Sequence, residues 1–121
     1  GRARHPGGVA GWAVGAGVVV RDSIVMPDTL IGPGAHLKRA ILDKEVIIGA
    51  AARIGQGDDY TPNRACPEHL SSGLVVIGKE ARIPEGLTVG RNARIGASVS
   101  ETDFTAPVPS GGVVDGPESM H

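Results

Sequence analysis

At 121 residues the chain has room for one domain or a piece of one. A net charge of −1 gives no electrostatic reason to expect nucleic acid or an anionic membrane as partner, and no apolar run approaches the ~20 residues of a membrane span. Hydrophobic residues reach 40%, yet Trp12, Tyr60 and Phe104 are the only aromatics, which favours a narrow aliphatic core over a sandwich or barrel. The 19 glycines and 9 prolines exclude long helices, and a strict repeat argues against disorder. Cys66 stands alone, so no internal disulfide is possible and a reducing, cytoplasmic compartment is expected. No signal-peptide pattern is present, and a start at Gly1 rather than Met leads us to expect a natural N-terminus further upstream.

In chain order, Gly1–Ala13 keeps no repeat and is expected to be irregular. A seventeen-residue tandem repeat follows. Its copies begin at Val14-Gly15, Ile31-Gly32 and Ile48-Gly49. Apolar marks fall at Val14, Val18, Val20 and Ile24, then Ile31, Ala35, Leu37 and Ile41, then Ile48, Ala52 and Ile54. The pattern resumes at Ile77-Gly78 and runs through Ile83, Val89-Gly90 and Ile95-Gly96 to Val99 with a spacing of six. An aliphatic, then Gly, then a small residue four after the aliphatic is a hexapeptide repeat. Each six is a short strand and a corner, with the aliphatic and the small residue inward and Gly supplying corner backbone angles. Three sides close a triangular coil, and seventeen rather than eighteen leaves one side a residue short. Units this small cannot bury their own apolar face, so they stack. The spacing predicts an all-β parallel helix of about four triangular coils over residues 14–100. A loop inserted within 56–73, where turn residues replace the alternation, leaves one corner. Residues 101–121 read as a mostly irregular tail, with Val108 and Val113-Val114 adding a partial edge strand.

Little in the sequence reads as an active site. His5, His36, His69 and His121 are scattered, without the convergence a metal site needs, so no metal is expected. His36, outward between Ala35 and Leu37, and His69, in the loop, are the candidates for the general base of a free-standing hexapeptide acyltransferase, the rival reading. Gly15-Ala16-Gly17 and Gly32-Pro33-Gly34 lack the strand–loop–helix context of a phosphate loop. The basic residues are the better lead. Lys44, Arg53, Lys79, Arg82, Arg91 and Arg94 all fall at expected outward positions, and stacking of coils would align them into a ladder that attracts a phosphorylated small molecule.

Four segments carry a more specific signal: DSIVMPDTLIGPGA (22–35), RAILDKEVIIG (39–49), GDDYTPN (57–63) and GLVVIGKEARIPEGLTVGRNARIG (73–96). Together with VPSGGVV (108–114) they resemble the C-terminal domain of the glucose-1-phosphate adenylyltransferase (ADP-glucose pyrophosphorylase) family. The resemblance implies a left-handed parallel β-helix that supports tetramer assembly and allosteric control. It also implies a separate catalytic nucleotidyltransferase domain that uses ATP and Mg²⁺ to make ADP-glucose and pyrophosphate from glucose 1-phosphate, for glycogen or starch synthesis. The Gly-rich catalytic motif of that domain is absent here, so no cofactor and no catalytic residue are expected in this segment. Lys44 of AILDK and Lys79 of VIGKEARIP match family lysines that contribute to an anionic effector site, with Arg53 the further cation expected there. The β-helix domain of another sugar-phosphate nucleotidyltransferase, such as one making GDP-mannose, is the remaining alternative.

Overall fold

The computed structural model of the chain describes residues 13–116. Of the stretch expected to be irregular, Gly1–Ala13, only Ala13 is described, and it begins a strand instead; the rest, with His5 and Trp12, lies outside the described residues, as do the last residues of the tail with His121. Within the described residues the structure is the expected left-handed parallel β-helix. Its strands are β1 (Ala13–Val14), β2 (Val19–Arg21), β3 (Ile24–Val25), β4 (Leu30–Ile31), β5 (His36–Lys38), β6 (Ala40–Leu42), β7 (Ile47–Ile48), β8 (Arg53–Ile54), β9 (Val75–Ile77), β10 (Arg82–Ile83), β11 (Thr88–Val89), β12 (Arg94–Ile95) and β13 (Val113–Val114). All pair in parallel into three sheets. The first side is β1-β4-β7-β10, the second β2-β5-β8-β11, and the third β3-β6-β9-β12-β13. Four coils result, and a partial fifth is supplied by β13 and by a parallel bridge from Val108 to Val89.

Register makes the core. On the first side Ile31, Ile48 and Ile83 stack in one column. Leu37, Ile54 and Val89 stack on the second and Leu42, Ile77 and Ile95 on the third. All nine are buried, and Ala35, Ala52, Ala81 and Ala93 close the corners between them at 0% exposure. The column is dry and aliphatic, as the shortage of aromatic residues requires. Thr29 is a buried polar exception at 0% exposure, and its hydroxyl donates to the Met26 carbonyl at 2.8 Å.

Two expectations need correction. Of the apolar marks, Ile24 and Ile41 face outward, Ile24 at 58% exposure, and Val25 and Leu42 take the inward places. The short side of each early coil lies between the second and third sheets: Leu37 is followed inward by Leu42, not by a residue six later. A one-residue shift exchanges the faces of a strand. The corner glycines also act differently from the expectation. Gly49 does not have a positive φ; a Cβ on it would lie 2.5 Å from the Glu85 nitrogen of the next coil. These glycines let successive corners nest. The left-handed backbone falls two residues after them, at Gly34 and at non-glycine positions such as Ala51 (φ 60), Glu80 (φ 65) and Asn92 (φ 63).

Candidate functional site

The predicted cations are distributed over the prism rather than gathered. Lys44 and Lys79 occupy the corner between the third and first sides, one coil apart, and the Glu80 N–H donates to the Lys44 carbonyl at 2.9 Å. Both are exposed. The neighbouring left-handed positions of the same corner hold Asp28, Glu45 and Glu80. These acids turn toward the first side. With Leu30, Ile47 and Arg82 they line a surface groove of about 460 Å³, which the two lysines do not line. Arg53 is not part of this corner. It projects from β8 on the second side, opposite His36 on β5 and Thr88 on β11. Arg82 stands on the first side and Arg94 on the third.

Arg91 contradicts the outward placement. It is 3% exposed. Its guanidinium lies 4.5 Å from the centroid of the Tyr60 ring, and its Nε–H donates to the Gly57 carbonyl. The reason is the inserted loop, which leaves after β8 and folds back over the corner between the second and third sides. A bare coil would leave that corner in water; the loop roofs it.

Two asparagines fix the loop, and neither was singled out by its sequence. Asn92 accepts the Gly73 N–H at 2.7 Å and donates to the Tyr60 and Thr61 carbonyls, each at 3.1 Å. Asn63 sits inside the loop at 0% exposure and donates to the Asn92 carbonyl at 2.8 Å, while its side-chain oxygen receives the Ala65 and Cys66 N–H groups. Buried amides are costly unless each polar atom finds a partner, so this network holds a single loop conformation. The loop also reaches the last coil, where the Arg64 N–H donates to the Gly111 carbonyl at 3.0 Å. On its surface Asp59 accepts the hydroxyl and the N–H of Thr61, bonds that hold its carboxyl below the ordinary aspartate range.

The histidines do not converge. His36 is half-buried on the second side, and His69 is exposed on a turn of the loop, its N–H donating to the Cys66 carbonyl at 3.0 Å. Among the described residues no group of three or more His, Cys, Asp or Glu side chains is placed to hold a metal ion, and no helix is long and apolar enough to cross a membrane.

Several known proteins are similar to this chain. The chain is 52% identical over 96 residues to the glucose-1-phosphate adenylyltransferase of Thermomicrobium roseum, and 34% identical over 91 residues to that of Acetivibrio thermocellus. These matches cover 78% and 75% of this chain but 22% and 21% of the relatives, so the chain spans about a fifth of their length. Among solved structures it is similar to the acetyltransferase domain of PglB from Neisseria gonorrhoeae, at 23% identity and a TM-score of 0.38, over 87% of this chain and 51% of that one. The family described as GlmU-like, C-terminal hexapeptide matches residues 9–77. With that match over more than half its length, and with a structure built of the stacked coils such repeats require, the chain belongs to the GlmU-like C-terminal hexapeptide family.

Proposed function

We propose that this chain is the regulatory and assembly domain of a glucose-1-phosphate adenylyltransferase, an enzyme joining ATP and glucose 1-phosphate into ADP-glucose and pyrophosphate for glycogen synthesis. The observation that carries the proposal is the 52% identity to the Thermomicrobium roseum relative, over a segment that is about a fifth of that enzyme. Catalysis belongs to a separate nucleotidyltransferase domain, where ATP and Mg²⁺ act. The fold supports the assembly role through its third side, which presents Ile24, Ile41, Val76 and Val113 outward along one line broken only by Arg94. An outward apolar line on a solenoid is suited to another copy of the chain in a tetramer or to the catalytic domain. The Lys44–Lys79 corner supports the regulatory role. Two ammonium groups one coil apart, on a rigid backbone ladder, would bind a sugar phosphate by charge-assisted hydrogen bonds and so bias one arrangement of the domains. The protein acts in the cytoplasm.

The test is the intact enzyme carrying Lys44→Ala or Lys79→Ala. Activation by a sugar-phosphate effector is expected to weaken, by roughly 5- to 100-fold in the effector concentration required, with turnover in its absence unchanged. An equal loss of basal turnover in both variants would place the lysines in the catalytic step and refute the regulatory reading.

A further inference from the structure

The second side of the prism differs from the other two in what it presents to water. Outward positions alternate along each strand. On β5, Leu37 is buried, so His36 and Lys38 both face out. Arg21 on β2 lies in register with Lys38, and Arg53 on β8 lies in register with His36. The four side chains therefore form a compact array, separated by about 4.8 Å between coils and about 6.6 Å along a strand. The strands of this side carry no carboxylate at any outward position; the remaining outward residues are Val19 and Thr88. The corner holding Lys44 and Lys79 has a different balance, since Asp28, Glu45 and Glu80 share it. Beyond Lys38 the next coil places Gly55 against the Lys38 carbonyl, a residue with no side chain of its own.

We propose that Arg21, His36, Lys38 and Arg53 form a binding site for a small ligand bearing two or more linked phosphates. Three fixed positive charges lie within the reach of one phosphate chain, and His36 offers an N–H donor between them. Guanidinium groups at either end of the array match phosphate oxygens in pairs. Each contact on a water-exposed sheet is weak by itself, so the ligand must engage several at once. A single phosphate meets too few; a chain of phosphates spans the array. This site is separate from the Lys44–Lys79 corner and stands whether or not that corner binds an effector.

The experiment is a titration of the isotopically labelled chain with tripolyphosphate, followed by amide chemical shifts, with inorganic phosphate as the weak comparison. Saturable shifts are expected at Val19–Arg21, His36–Lys38 and Arg53, with inorganic phosphate binding at least 10-fold more weakly. Arg21→Ala and Lys38→Ala should each raise the dissociation constant 5-fold or more. Arg82→Ala removes the same charge from the first side and should change it less than 2-fold. ATP presents the same phosphate chain as part of a nucleotide, and further shifts with ATP alone would assign the site to nucleotides rather than to free polyphosphate. Shifts confined to Lys44, Lys79 and their neighbours would overturn this proposal while supporting the corner as the anion site. Equal losses in Arg82→Ala and Lys38→Ala would reduce the effect to net charge and also overturn it.

Discussion

Ile48 and Ile24 provide the sharpest test of the stacked core, because the same substitution is made on opposite faces of the same kind of strand. Ile48 is 1% exposed, between Ile31 and Ile83 in the first-side column. Ile48→Ala removes about three carbons, a transfer loss of roughly 2.4 kcal/mol at ~0.8 kcal/mol per methylene. The coils above and below are held at strand spacing by their own ladders and cannot collapse into the gap. The cavity adds to the cost, for a total of about 3–4 kcal/mol. Ile24 is 58% exposed, so Ile24→Ala should cost about 1 kcal/mol or less. For a chain of this size the difference corresponds to a gap in melting temperature of roughly 10 °C, with Ile48→Ala the lower. Thermal melting of the two variants and the parent chain, followed by far-ultraviolet circular dichroism, measures it. Equal melting temperatures for the two variants would show that Ile48 does not occupy a dry column, and the account of the core would fail with it.

Gly49→Ala should be severely destabilising, because its Cβ would lie 2.5 Å from the Glu85 nitrogen; Gly86→Ala, with nothing within 4 Å, should cost only the ~1 kcal/mol of a left-handed alanine, and urea titrations of both variants give the comparison. Asn92→Ala removes three hydrogen bonds to the loop backbone and should release residues 56–73, seen as faster amide exchange at Gly73 and faster proteolysis there, with the β-strand amides of the second coil unaffected. Asp59 has its carboxyl pKa lowered by the Thr61 hydroxyl and N–H, so its contribution to loop order is present above the unfolded-chain pKa and is lost as pH falls through the folded value. Carbon NMR should therefore find Asp59 titrating below the ordinary aspartate range, and Thr61→Ala should move it back up.

Much of the fold was legible because a seventeen-residue period leaves few architectures open. Phase within the third side was not. Ile24-Val25, Ile41-Leu42 and Val75-Val76 each put two aliphatics side by side, so hydrophobicity alone does not say which of the pair points inward. Backbone pairing decides it, by placing the short corner between the second and third sheets. In the fourth coil that corner is a residue longer: Val89 and Ile95 are spaced by six where Leu37 and Leu42 are spaced by five. The corner glycines were located correctly by pattern, but their cause is contact between coils, which no single repeat contains.

The cations show why site residues were harder to place than the core. On the first two sides an inward position follows from the repeat, whereas an outward one depends on whatever else covers the surface. Lys44 and Lys79 were separable from Arg53 only once each residue had been assigned to a side. Arg91 required the loop as well. The fourth coil supplies an extra residue at the corner the loop crosses, and Arg91 and Asn92 occupy it, stacked under Tyr60 and bonded to Gly57, Tyr60, Thr61 and Gly73. The insertion and the longer corner thus lie one coil apart and fit each other. A loop that hung free would need no such partner. Its path to Gly111 ties the third, fourth and fifth coils along one edge.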